Sequence, residues 1–128
     1  MILLDTCSLL WLAGYPEGLS SAARMALANP GIRVCFSPVS VHEIGIKSVR
    51  GKLSLPLPLA EWIEGAAMLH GLEEIPMNCR IAIRASALPE LHRDPFDRLL
   101  IATAQEHRLT LLTPDDNIRQ YPDLKTVW

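Results

Sequence analysis

The chain has 128 residues, 49% hydrophobic and 20% charged, with a formal net charge of −2. That length predicts one domain, 1–128, able to bury a core without disulfide or metal support. The small net charge excludes a polybasic nucleic-acid binder, no apolar window is long enough for a membrane span, and three scattered cysteines without a CxxC exclude a disulfide framework or structural zinc site. The opening Met1-Ile2-Leu3-Leu4-Asp5 lacks the basic segment of a signal peptide, so the expected compartment is the cytoplasm.

Short apolar runs alternate with helical patterns. Ile2-Leu3-Leu4 reads as a first strand, and the apolar run 8–12 leads to a turn at 14–18. Ser20 or Ser21 caps a helix running to Ala28, which Asn29-Pro30-Gly31 stops. A buried strand at 33–36 precedes a helix over 40–50 closed by Gly51. The prolines of 53–58 predict an extended segment. A helix over 59–70 ends before Gly71, Glu74-Ile75-Pro76 forms a short strand, and Asn78 caps a helix through Ala87 or Leu88. The clearest helix runs from Asp97 to His107, followed by a strand at 110–112 and a last one at 126–128. Strands separated by helices imply right-handed crossovers, hence an α/β fold: a three-layer α/β/α sandwich around a mainly parallel sheet.

Fourteen acidic residues are spread along the chain, but four groups share one topological position. Asp5 directly follows the first strand, and Glu43 lies early in the helix after the second. Asp94 and Asp97 open the clearest helix, and Asp115 and Asp116 follow the strand at 110–112. In an open α/β sheet these points lie at one edge, where such folds bind ligands. Each acid alone is explained by helix capping: Ser40 with Glu43 matches a capping box, Asp94-Pro95 matches an N-cap with proline at the first helical position, and Asp5 or Asp115 fits a turn or cap. Together they would repel one another unless some took up protons or shared a cation. Oxygen donors suit Mg²⁺ or Mn²⁺, and such ions serve phosphodiester chemistry.

The segments Ile2-Leu3-Leu4-Asp5-Thr6, Ser40-Val41-His42-Glu43-Ile44, Arg93-Asp94-Pro95-Phe96-Asp97-Arg98-Leu99-Leu100-Ile101-Ala102 and Leu111-Leu112-Thr113-Pro114-Asp115 resemble the four acidic motifs of PIN domains. Their order and spacing are similar to those of the VapC-type ribonuclease toxins of bacterial toxin–antitoxin pairs. The resemblance implies a PIN-like sandwich and a metal-dependent endoribonuclease using Mg²⁺, with Mn²⁺ as the alternative. It also implies an RNA substrate, a cognate antitoxin that inhibits the enzyme, and a homodimer. By position, Asp5, Glu43 and Asp97 correspond to the principal metal-binding acids and Asp115 to the more variable fourth. Asp97 is preferred over Asp94 because it directly precedes the apolar run, which leaves Asp94 as the cap or as a support to the site. Relatives often carry His or Asn where Cys7 stands.

Thr6 and Thr113 stand where they either bond a carboxylate, a metal-bound water or phosphate, or serve a turn. Lys47 is placed for an i,i+4 pair with Glu43 or for a phosphate. Arg93 and Arg98 flank the third motif, where RNA backbone and surface salt bridge are the alternatives. Arg50 and Lys52 suit the end of their helix. His42, His70, His92 and His107 pair with no candidate nucleophile and are expected in surface or packing roles. Trp11, Trp62 and Trp128 are expected in the core or an interface. An apolar groove formed around 53–70 is expected to accept an antitoxin helix or extended segment. Two rival functions remain at this stage: a non-catalytic PIN-like module binding RNA or protein, and an aspartyl-nucleophile phosphotransferase. The latter expects a second acid two residues after Asp5, where Cys7 stands.

Overall fold

Five strands, all parallel, lie in the order β3-β2-β1-β4-β5 in the computed structural model, which describes all of residues 1–128. They are β1 (Ile2–Leu4), β2 (Val34–Phe36), β3 (Glu73–Glu74), β4 (Thr110–Leu112) and β5 (Lys125–Val127). β1 is central, pairing Leu3 with Cys35 on one side and with Leu111 on the other. A central parallel strand is buried on both faces, which is why β1 is an unbroken apolar run instead of an alternating one.

Seven helices connect and cover the strands: α1 (Thr6–Gly14), α2 (Ser21–Ala28), α3 (Pro38–Val49), α4 (Leu59–His70), α5 (Cys79–Ala87), α6 (Pro95–His107) and α7 (Asp116–Arg119). Successive strand residues point to opposite faces and so build two cores. Leu3, Cys35 and Leu111 pack with Ile81, Ala85 and Ile101 from α5 and α6. Ile2, Leu4, Phe36 and Leu112 pack with Leu9, Ala23, Ile44 and Trp62 from α1 to α4. The result is the expected α/β/α sandwich. No helix is long and apolar enough to cross a membrane. Trp62 lies in the second core, and Trp11 packs against Trp128 at a ring separation of 5.5 Å. Gly18 sits beneath Trp11, where an added Cβ would approach the indole to 2.7 Å, so a side chain there would displace the ring.

Several boundaries differ from the sequence expectations. The run 8–12 lies inside α1, which Asp5 caps. Helix α3 starts at Pro38, not Ser40; its cap is Ser37, whose hydroxyl accepts from the Val39 N–H at 3.0 Å. Proline is favoured at the first helical position because it has no N–H to satisfy there, so Ser37-Pro38 prevails over the later serine. Glu43 therefore sits beyond the first turn and forms no capping box. β3 pairs at 73–74 and not across Pro76, which has no N–H to donate, and β5 begins one residue earlier than expected.

Candidate active site

At the carboxyl edge of the sheet, the ends of β1 and β4, the stretch of α3 from Glu43 to Lys47 and the beginning of α6 enclose a pocket of about 270 Å³. Asp5, Glu43, Asp94, Asp97 and Asp115 line it, with Thr6, Cys7 and Lys47. All four acidic motifs reach one place.

Asp5 is both a cap and a pocket residue. It is buried, and its Oδ1 accepts the Ser8 N–H at 2.8 Å. The Ser8 hydroxyl donates to the Leu112 carbonyl at 2.9 Å, and the Asp5 N–H bonds the same carbonyl at 3.2 Å, which ties α1 to β4. Burial raises the Asp5 pKa despite hydrogen bonds from Thr113 and Ser8.

Glu43 is buried, with both carboxylate oxygens bonded. Oε1 accepts from the Thr6 hydroxyl at 2.7 Å and Oε2 from Lys47 Nζ at 2.7 Å. Thr6 also lies 3.1 Å from the Ser40 hydroxyl. A carboxylate only accepts, so Thr6 gives its proton to Glu43 and takes one from Ser40. Lys47 forms the i,i+4 pair, and Ser40, no longer a cap, supports Thr6.

Asp94 caps α6, accepting the Phe96 N–H at 2.9 Å. Asp97, one turn inward, has its pKa pushed up to about 7, first by burial and then by repulsion from Asp94, Glu43 and Asp5. Asp115 caps α7 through Oδ1, which accepts from the Asn117 and Ile118 N–H groups at 2.8 and 3.1 Å. The Thr113 hydroxyl accepts the Asp115 N–H at 3.1 Å. Burial acts to raise the Asp115 pKa, but bonds from His92 and the α7 amides outweigh it and hold the carboxyl below its ordinary value. Asp116 stays solvated, 3.8 Å from Arg119.

His92 corrects the expectation of a surface or packing role. Its Nε2 lies 3.0 Å from Asp115 Oδ2 and 3.1 Å from Asp97 Oδ2, bridging the third and fourth motifs. Its Nδ1 accepts the Asp94 N–H at 3.1 Å, so Nε2 carries a proton and donates it toward the two carboxylates. The Nε2 of His92 and carboxylate oxygens of Asp97 and Asp115 all lie within 4.8 Å of one another; Asp5 and Glu43 line the same pocket but stand outside this close group. The signal in the sequence was a histidine two residues before a capping aspartate.

Arg98 is likewise corrected. Its guanidinium meets neither solvent-facing acid nor open groove; it donates to the carbonyls of Ala85, Leu88, Pro89 and His92 at 2.8–3.2 Å. Tyr121 holds the same loop, donating to the Pro89 carbonyl at 2.6 Å and accepting the His92 N–H at 2.9 Å. These two side chains anchor the backbone from which His92 projects. Cys7 lines the pocket, but burial and then Asp5 push its thiol up to about 11, so it stays protonated at neutral pH. His42 packs edge-on against Phe96 at 5.8 Å.

The other face of α3 is different. Between α3 and α4 runs a groove of about 1070 Å³, lined by Val41, Ile46, Val49, Leu59, Ile63 and Ala67 among others. Gly45 permits the close approach: a Cβ there would lie 3.0 Å from Leu59.

Comparison with known proteins agrees with this arrangement. The chain is 30% identical to Ribonuclease VapC22 of Mycobacterium tuberculosis over 130 residues, covering 99% of this chain and 98% of the relative. Among solved structures it is similar to VapBC2 from Rickettsia felis bound to a promoter DNA fragment (TM-score 0.67, 17% identity, 98% and 97% of the two chains). A toxin–antitoxin complex from Klebsiella pneumoniae (TM-score 0.65, 23% identity, 97% and 95%) and FitAcB from Neisseria gonorrhoeae (TM-score 0.65, 22% identity, 98% and 96%) share the same fold. The PIN domain profile matches residues 2–124, and with four acids from four separate motifs lining one pocket, the chain belongs to the PIN domain family.

Proposed function

We propose that the protein is a metal-dependent endoribonuclease that hydrolyses RNA phosphodiester bonds as the toxin of a toxin–antitoxin pair. The observation that carries this reading is the convergence of Asp5, Glu43, Asp97 and Asp115 on one pocket. The full-length relative named as a ribonuclease supports the reaction class.

The donor set fits a hard divalent cation, Mg²⁺ or Mn²⁺, because it consists of carboxylate oxygens, and burial followed by repulsion from neighbouring acids already raises the pKa of Asp5 and Asp97, a cost that a bound cation would offset. Asp5, Glu43, Asp97 and Asp115 would hold the ion, which supplies positive charge for phosphodiester hydrolysis when bound. Thr6 and Lys47 orient Glu43 by occupying one face of each carboxylate oxygen. Thr113 and Ser8 fix Asp5, and His92 sets the separation of Asp97 and Asp115. Asp97, whose pKa is pushed up to about 7, would have to be deprotonated to hold the ion, so affinity would rise with pH.

The chain acts in the cytoplasm as a homodimer, and the α3–α4 groove receives an apolar segment of the antitoxin. Its size and apolar lining suit a helix or an extended segment laid in a groove. The test is to incubate the purified protein with single-stranded RNA and map the products. Cleavage with Mg²⁺ or Mn²⁺ is expected, with none in EDTA or in Asp5→Asn. Tight RNA binding without cleavage under any divalent ion would instead establish a binding module.

A further inference from the structure

A second cleft, of about 470 Å³, adjoins the acidic pocket and shares Glu43, Lys47 and Asp94 with it. It lies between the carboxyl end of α3 and the start of α6, and Arg50, Lys52 and Arg93 stand on its walls. All three are exposed, and none makes an ion pair, whereas Arg33, Arg80, Arg84 and Arg119 are matched with acids elsewhere on the surface. In a chain of net charge −2, three unmatched cations in one cleft form a local exception. Across the pocket the rim is anionic, formed by Asp115 and followed by the exposed Asp116.

A polyanion nearing the five carboxylates is therefore repelled on one side and attracted on the other. Phe96 also lines the cleft, and an aromatic face accepts any base by stacking. We infer that this cleft holds the backbone phosphates of single-stranded RNA on one side of the bond that is cut, through Arg50, Lys52 and Arg93. The inference rests on the endoribonuclease reading, and it adds a direction: the strand leaves the acids past α3 and not past α7. Cations that contact phosphate release counterions from the strand, so their removal has a salt signature that packing changes do not have.

The experiment is steady-state cleavage of a short single-stranded RNA by the Mg²⁺-loaded protein across a KCl series. Arg50→Ala with Arg93→Ala is expected to raise KM several-fold, leave kcat within about twofold, and flatten the slope of log(kcat/KM) against log[KCl] by about 1.4, from ~0.7 per lost contact. Arg50→Lys with Arg93→Lys should restore most of the loss. Arg24→Ala with Lys125→Ala removes the same charge from exposed, unpaired sites outside the cleft and should change little. An equal effect from both alanine pairs would reduce the result to the overall field of the protein and overturn the inference. So would an unchanged KM, including the case in which the Arg50/Arg93 pair loses antitoxin binding alone. A parent protein that cuts no RNA fails the endoribonuclease reading first, and that outcome is distinguishable because it precedes any variant.

Discussion

Helix α3 presents two surfaces that differ in every physical respect. Ser40, Glu43 and Lys47, at helical spacing, serve the acidic pocket, while Val41, Gly45 and Val49 line the apolar groove. In the pocket, each buried side-chain polar atom has a partner, and Thr6, Ser8 and His92 bond across to distant motifs. The groove is about four times larger, and its apolar walls define it by shape. Directional bonds make the first surface intolerant of single-atom changes, whereas the second should respond in proportion to the apolar area altered.

The sharpest way to break this contrast is to neutralise acids one at a time. Asp97→Asn is expected to abolish RNA cleavage, while Asp94→Asn, which still caps α6, should keep most of it. Equal losses with both proteins folded would show that the pocket does not distinguish cap from ligand.

Next in size is His92→Ala. Removing a side chain that orients two carboxylates should cost roughly 10–100-fold in Mn²⁺ affinity, measured by calorimetry, with partial recovery in His92→Gln. An unchanged affinity would reduce His92 to a loop residue.

The groove should give the complementary result. Ile63→Asp is expected to weaken inhibition by the antitoxin roughly 10–100-fold, from the loss of about 1.5–3 kcal/mol of apolar burial, and to leave cleavage by the free protein unaltered. Loss of both together would mean that the two faces of α3 are coupled.

The last effect is on stability. Asp97 binds its proton more tightly folded than unfolded, with a folded pKa of about 7 against an ordinary 3.8. Between those values the native state holds the extra proton, so metal-free stability falls as pH rises through the window. Asp5 contributes with the same sign, since its pKa is also raised. Thermal melts in EDTA should show this fall, flattened in Asp97→Asn; parallel curves for parent and variant would remove Asp97 as its source.

The sequence exposed much of what is determined locally. The helices at 59–70 and 79–87 begin and end where capping, proline and glycine signals place them, and the strand-then-acid pattern marked the carboxyl edge. His92 was not legible because its role depends on Asp115 and Tyr121, residues distant in the chain that only folding brings near. Arg98 was misread because a cation near acids suggests a charge partner, while its actual partners are carbonyls at the end of α5, which carry no signature in residue identity. Ser37 and Ser40 were equivalent by residue type, and only the proline between them distinguishes the true cap.

The placement of β1 at the centre of the sheet has a consequence for the time course of synthesis. Its Asp5 is made more than a hundred residues before the Leu112 carbonyl that receives both the Asp5 amide and the Ser8 hydroxyl. Until β4 has emerged and inserted beside β1, the growing polypeptide has acids but no enclosed pocket, and such long-range pairing is the slow kind to form. A chain stopped before β4 therefore carries the acids of the first three motifs without the strand that closes the pocket they line.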